Sequence, residues 1–290
     1  PFELFLFVYA VLGPLHYLTE ISWLHDKNYY TKSRTDVILL VVISLFLTFL
    51  FVAGQHWKEW LNSIWDGEQL SLWNSSLTFL AFGSALFMAF IKKPMIRAVG
   101  IILTVLLVLL VNQSIPFFTV FLPTLVHVFL FTSLFMLYGA LKSRSKVGLI
   151  TVFLHILCPF LLYYMFQGDT NILLSDYGKD MYENSMFAGL NGYILTENFG
   201  VEVTSMEQYM DTIFNSNLGV AIMRFIAFAY TYHYLNWFSK TEVIQWHKIP
   251  RRWLVTILII WLGGIILYLY DIRLGIAALV FISLMHVFLE

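Results

Sequence analysis

Long apolar runs alternate with short polar segments along the whole chain. A transmembrane α-helix needs about 20 mostly apolar residues to cross a hydrocarbon core about 30 Å thick. The pattern therefore predicts an all-α, polytopic transmembrane bundle that forms a single domain over residues 1–290. Nine spans are predicted, at roughly 2–24, 35–54, 75–91, 97–114, 117–140, 147–166, 217–238, 253–270 and 272–290.

The composition excludes a soluble domain. Hydrophobic residues make up 59% of the chain and charged residues 12%, and the mean hydropathy is +0.76. A soluble fold of this size could not cover so much apolar surface. The net charge of −1 gives no basis for a nucleic-acid partner, so the expected surroundings are membrane lipid. A single cysteine, Cys158, excludes a disulfide within the chain and a cysteine-ligated iron–sulfur cluster.

Basic residues follow the first, third, fifth and seventh predicted spans, whereas segments 55–74 and 167–216 are neutral or acidic. The positive-inside rule places such basic loops in the cytoplasm, here at what we expect to be a bacterial inner (plasma) membrane. Residues 167–216 then form one larger extracytoplasmic loop, which either caps the outer face or lies on the membrane. An amphipathic helix is predicted near 205–214, with Met206, Tyr209, Met210 and Ile213 on its apolar face.

Several ionisable residues lie inside or at the edge of the apolar runs. Burying one such group in hydrocarbon costs roughly 2.5–3.5 kcal/mol, so several together need a common reason. Where histidines are combined with carboxylates, the most frequent shared reason is a bound metal ion. Two pairs have i, i+4 spacing, which places both side chains on one helix face. The ligands predicted on this basis are His16 with Glu20, His286 with Glu290, and the further histidines His127 and His233.

His25 lies nine residues beyond His16. On a continuous helix it would point nearly the opposite way and lie about 13 Å distant. His25 can therefore join the metal ligands only if the helix ends near Trp23, and Asp26 would then orient an imidazole by hydrogen bonding. The alternative is a solvated cluster of His25 and Asp26 at the membrane interface.

Span seven presents His233, Asn236 and Lys240 at helical spacing on one face. We expect Asn236 and Lys240 to act as catalytic residues beside the predicted metal ligand His233.

His247 would lie about 21 Å from His233 on an unbroken helix. Ser239 and Glu242 have the spacing of a capping box, which predicts that the helix stops and restarts there. Such a break would allow His247 to return as a further metal ligand. The alternative is a histidine at the lipid headgroups, among basic residues.

His127 and His155 lie near the middle of adjacent, antiparallel spans. One interpretation is that His127 completes the metal site, with His155 as a hydrogen-bonding partner of a ligand. Alternatively, the two are axial ligands of a b-type haem, or they are histidines that only pack.

The strings GPLHYLTE, YHYLNWFSKTEVIQWH and LMHVFLE place histidines and acids in the first, seventh and ninth spans. This layout resembles the membrane non-haem iron oxygenases, and among them the bacterial beta-carotene cleaving dioxygenases. The chain departs from that family because it lacks an HFGxxD box and its paired late histidines are fourteen residues apart. The histidine boxes of fatty-acid desaturases are also absent. The resemblance implies iron and dioxygen.

These patterns predict an integral-membrane, metal-dependent oxidoreductase, with one or two iron ions near the cytoplasmic side. The expected substrates are an apolar lipid or isoprenoid and O₂, and an electron-donor protein is a possible partner. Zinc would use similar ligands and would favour a hydrolase. The alternatives are an ion- or proton-coupled transporter that uses buried His, Glu and Arg, and a b-type haem protein.

Overall fold

The computed structural model describes residues 1–27, 33–91, 93–110, 122–166, 168, 172, 174–240, 245 and 248–289. Most of these residues are helical, and none of them is in a β-strand. The α-helices are α1 (Phe2–Lys27), α2 (Arg34–His56), α3 (Lys58–Ile64), α4 (Gly67–Phe90), α5 (Pro94–Leu110), α6 (Thr132–Lys142), α7 (Lys146–Met165), α8 (Asp176–Glu183), α9 (Met186–Tyr193), α10 (Met206–Asn215), α11 (Asn217–Ser239), α12 (Arg251–Tyr270) and α13 (Ile272–Leu289). Two segments are π-helical, namely Leu122–Phe131, which continues into α6, and Ile194–Asn198, which follows α9.

Within these ranges, six helices are long and apolar enough to cross a membrane. They are Phe2–Asp26, Arg34–Gly54, Leu125–Lys142, Lys146–Met165, Arg251–Tyr270 and Ile272–Leu289. Helices α10 and α11 qualify together as a seventh span that is bent by 65°. The predicted all-α membrane architecture is therefore confirmed.

The predicted number of nine spans is not confirmed. Shorter apolar stretches, Leu72–Met88 in α4 and Met95–Leu107 in α5, occupy the positions of the third and fourth predicted spans. Residues 111–121, which the sequence assigns partly to span four and partly to span five, lie outside the described ranges.

The chain divides into two compact units. Unit one comprises Pro1–Gly13 and Thr124–Lys240, and unit two comprises Pro14–Pro123 and Thr241–Glu290. The first boundary falls inside α1, directly before Pro14, a residue that cannot donate a backbone hydrogen bond within the helix.

Aromatic rings from α1, α8, α9 and α11 form much of the core of unit one. Phe5 contacts Phe187 at 4.5 Å and Tyr230 at 5.3 Å between ring centroids, and Phe2 contacts Tyr182 at 4.8 Å, all edge-to-face. Each such pair stabilises by about 0.5–1.5 kcal/mol beyond the area that it buries. The Tyr182 hydroxyl donates to the Phe187 carbonyl at 3.0 Å, and burial raises the pKa of Tyr182.

The amphipathic helix predicted near 205–214 is confirmed as α10. Its first turn is capped by the Ser205 hydroxyl, which accepts from the backbone N–H of Gln208 at 3.1 Å. Ile213 and Phe214 are buried, but Met206 is 70% exposed. The buried apolar face is therefore concentrated at the C-terminal end of α10. The prediction that Met206 belongs to this face is wrong.

Helices α2, α4 and α13 pack together in unit two. Their shared core consists of Leu40, Ile43, Leu47, Ala81, Met88 and Phe288. An ion pair between Asp36, in the first turn of α2, and Arg97, in the first turn of α5, joins two helix starts. Asp271 begins α13 by accepting from the backbone N–H of Arg273 at 2.7 Å, which allows α12 and α13 to form a tight hairpin.

The bend between α10 and α11 is organised by a single hydroxyl. Ser216 Oγ donates to the Thr212 carbonyl at 2.6 Å and accepts from the Gly219 N–H at 2.9 Å. One serine therefore ends α10 and caps α11. Gly219 is required by this bend, because a Cβ there would lie 2.3 Å from the Thr212 carbonyl oxygen and 2.5 Å from that of Ile213.

Replacing Gly219 with Ala should destabilise the protein by about 1–3 kcal/mol, because the clashing atoms belong to the backbone and cannot rotate away. Thermal unfolding of the purified protein in detergent, followed by tryptophan fluorescence, measures the effect. Gly263→Ala is the matched control, since a Cβ at Gly263 meets no atom within 4 Å. Equal melting temperatures for the two variants would contradict this account of the bend.

Candidate metal centre

His16 and Glu20 form a buried pair on α1. Each residue is 1% exposed, and His16 Nε2 lies 3.1 Å from Glu20 Oε2, as the i, i+4 spacing predicts. Two atoms bound to one metal ion at 2.0–2.2 Å lie roughly 3.0–3.5 Å apart. The imidazole and the carboxylate are therefore already at a separation that a shared ion requires.

His286 on α13 is buried and held in a defined tautomer. Its Nδ1 lies 2.6 Å from the carbonyl oxygen of Ser283. Because a carbonyl can only accept, Nδ1 carries the hydrogen, and Nε2 presents its lone pair. A histidine that binds metal commonly donates its other N–H to a backbone carbonyl in this way. Tyr17 stacks on the His286 ring, with 4.3 Å between centroids and 27° between planes.

Unit two brings His16 and His286 together. Their rings are 5.2 Å apart at 82°, and one ring nitrogen of each lies within 4.8 Å of the other. With Glu20, the group offers two imidazoles and one carboxylate from α1 and α13. This donor set is typical of non-haem iron sites that leave coordination positions open, and it also suits zinc.

His25 and Asp26 lie away from this group, which corrects the prediction that His25 is a ligand. Helix α1 continues to Lys27, so it does not end near Trp23 as that prediction requires. The His25 side chain is 88% exposed, and its Nδ1 lies 3.6 Å from Asp26 Oδ1. This exposure favours the alternative of a solvated cluster, whose position at the membrane interface stays a prediction.

Two predicted ligands lie outside the described residues, namely His247 and Glu290. The same holds for Glu242, on which the predicted capping box depends. Helix α11 does end at Ser239, where the sequence predicts a stop.

A second group of buried histidines lies in unit one. His127 is in the π-helical segment Leu122–Phe131, and its ring contacts that of His233 on α11 at 5.0 Å. His233 Nδ1 lies 2.8 Å from the Thr132 hydroxyl. All three residues are buried. Unit one therefore brings together two of the predicted ligands.

His155 packs among aromatic rings. Its nearest ring partners are Tyr232 at 4.3 Å, Phe129 at 4.9 Å and Phe228 at 5.4 Å. The His127 ring contacts other rings, among them those of Phe131 and His233. This packing favours the interpretation of His155 as a packing histidine.

Asn236 and Lys240 lie at the end of α11, as predicted. Asn236 is partly buried, and its carbonyl accepts from the Ser239 hydroxyl at 2.8 Å. The Lys240 ammonium lies over the Phe135 ring at 5.6 Å. Their catalytic role stays a prediction.

Sequence reasoning missed Tyr17, Ser283 and Thr132, each of which contacts a predicted ligand. The sequence does contain a spacing that could have identified Ser283, since this residue precedes His286 by one helical turn. The indication for Thr132 is weaker, because it lies five residues after His127, and that spacing places two residues on one face only in a π-helix.

No protein-family model, no curated protein and no solved structure matches this chain. The resemblance to membrane iron oxygenases therefore stays a prediction from short motifs, and only the geometry of the histidine groups bears on function.

Replacing Tyr17 with Leu should lower the unfolding free energy by about 1–3 kcal/mol, because the ring stacked on His286 is lost. Tyr17→Phe keeps the stacked ring and should retain most of the stability. Chemical denaturation in detergent measures both variants. Tyr270→Leu serves as the control, since Tyr270 is an exposed tyrosine of the same unit. A loss in Tyr17→Phe as large as in Tyr17→Leu would show that stacking is not the cause.

Proposed function

We propose that this chain is an integral-membrane, metal-dependent oxidoreductase, and more specifically a non-haem iron oxygenase that acts on an apolar lipid or isoprenoid with O₂. The observation that carries the proposal is the buried group of His16, Glu20 and His286 in unit two. Burying three ionisable side chains in apolar helices is costly unless they bind something. His16 Nε2 lies 3.1 Å from Glu20 Oε2, and one ring nitrogen of His16 lies within 4.8 Å of one of His286.

The residues around the proposed site have definable tasks. Ser283 keeps the proton of His286 on Nδ1, so that Nε2 points its lone pair to a metal. Tyr17 fixes the plane of the same imidazole by stacking. Burial of His16 and Glu20 excludes bulk water. Bound iron would supply the redox chemistry of dioxygen, which these side chains cannot supply themselves.

The proposed substrate class follows from location. The candidate ligands lie in helices that are apolar enough to cross a membrane, so a substrate dissolved in the bilayer can approach without entering water. One or two iron ions are proposed, and a second ion would be held within unit one, where His127 and His233 are the predicted ligands. We also propose that the basic loops face the cytoplasm, where an electron-donor protein could dock.

The purified full chain should contain stoichiometric iron by elemental analysis. His16→Ala and His286→Ala should each lower the iron content about tenfold or more, because each removes a direct ligand. Glu20→Ala should also lower it, whereas His233→Ala tests the ligand predicted from span seven.

The matched control is His25→Ala, which removes an exposed histidine of the same helix and should leave the iron content unchanged. Protein that contains zinc alone would support a hydrolase in place of the oxygenase. Protein free of metal after metal supplementation would overturn the whole proposal.

Oxygen uptake should depend on the metal. Protein in lipid nanodiscs, given a small-molecule reductant and a carotenoid or fatty-acyl substrate, should consume O₂ measurably in an oxygen electrode. Chelation should abolish the uptake, and added Fe²⁺ but not Zn²⁺ should restore it, because zinc has no redox chemistry. Uptake that survives in His16→Ala would contradict the assigned site.

Ion- or proton-coupled transport is a second candidate, and the 65° bend between α10 and α11 favours it. Transporters bind ions where helices are broken. Here the bend at Ser216 is about 25 Å along the helix from His233, however, so the break and the histidines are separate. Substrate flux in vesicles that persists after chelation would favour this candidate.

A further inference from the structure

We infer that Thr132 is a positioning residue of a metal site in unit one, formed by His127 and His233, and that its hydroxyl selects the ring nitrogen that His233 offers to a metal. The inference rests on the proposed function, because it assigns a task to Thr132 only if His233 binds metal. Three observations within unit one carry it.

The first observation is a hydrogen bond between helices. Thr132 Oγ1 on α6 lies 2.8 Å from His233 Nδ1 on α11, and both residues are buried. A hydroxyl can accept from Nδ1–H, and the imidazole then has its lone pair on Nε2. Binding of a metal ion at Nε2 requires this tautomer, so the ion and the Thr132 hydrogen bond stabilise each other.

The second observation is the difference between Thr132 and other hydroxyls of the same unit. Ser133 donates to the Phe129 carbonyl at 2.8 Å, and Thr231 donates to the Ala227 carbonyl at 2.6 Å. Both bonds stay within one helix, as is common for hydroxyls in apolar helices. Thr132 instead contacts an imidazole of another helix.

The third observation is the π-helical segment that ends directly before Thr132. In a π-helix, hydrogen bonds join residues five apart, so such residues lie nearly above one another. His127 and Thr132 are five apart, and both contact the same imidazole, that of His233. In an ordinary α-helix only residues three or four apart share a face in this way. The π-helix therefore aligns a predicted ligand and its positioning residue on one side.

The experiment is a Co²⁺ titration of the purified, metal-free full chain, followed by visible absorption. Thr132→Val keeps the shape and removes the hydroxyl, and it should weaken Co²⁺ binding about 10- to 100-fold and shift the absorption bands. Thr132→Ser keeps the hydroxyl and should restore the wild-type affinity and spectrum. Thr231→Val makes the same chemical change on α11, away from the His233 ring nitrogen, and should match wild type.

Wild-type affinity and spectrum in Thr132→Val would overturn the inference, even if that variant unfolds more readily, because the hydroxyl would then have only a structural task. If Thr132→Val cannot be purified, Thr132→Cys takes its place, since a thiol is a poor hydrogen-bonding partner. A wild-type chain that binds no Co²⁺ would overturn the proposed function itself, which separates the two failures.

Discussion

The cost of placing ionisable side chains in hydrocarbon controls the arrangement of both units. A charged or strongly polar group in a membrane helix must find a partner inside the protein, because lipid offers none. The His16 imidazole pairs with the Glu20 carboxylate, that of His233 with the Thr132 hydroxyl, and that of His286 with the Ser283 carbonyl. Each of these partners is a polar group that holds an imidazole in one orientation. Fixed orientation is what a metal ligand needs, so the demands of burial and of coordination coincide here.

The same constraint applies to the backbone. Helix ends leave N–H and carbonyl groups without partners, and several helices of this chain satisfy them with serine. Ser145, Ser175, Ser185, Ser205 and Ser216 all accept a backbone hydrogen bond at the first turn of the helix that follows. These caps allow short helices such as α8, α9 and α10 to form between longer apolar ones. The short helices contribute rings to the aromatic core of unit one, so capping and packing depend on each other.

Periodicity predicted those parts of the structure that depend on one regular helix. The pairing of His16 with Glu20 follows from α-helical spacing alone, and α10 follows from its amphipathic pattern. Whether His25 lies with the metal ligands could not be predicted, because this depends on where α1 ends, and no local sequence feature determines that residue. Tyr17 could not be found either, since neighbours on a helix point in different directions and only the packing of α13 selects one. The π-helical segment around His127 carries no composition that distinguishes it from an α-helix.

The ion pair between Asp36 and Arg97 has a consequence for the path of the chain through unit two. The two side chains contact each other, so the first turns of α2 and α5 lie side by side. Between the end of α2 and the start of α5, the chain must therefore travel back along the length of α2. Helix α4 makes this return, since it packs against both α2 and α5. One pair of opposite charges thus joins two points that are 61 residues apart in the sequence.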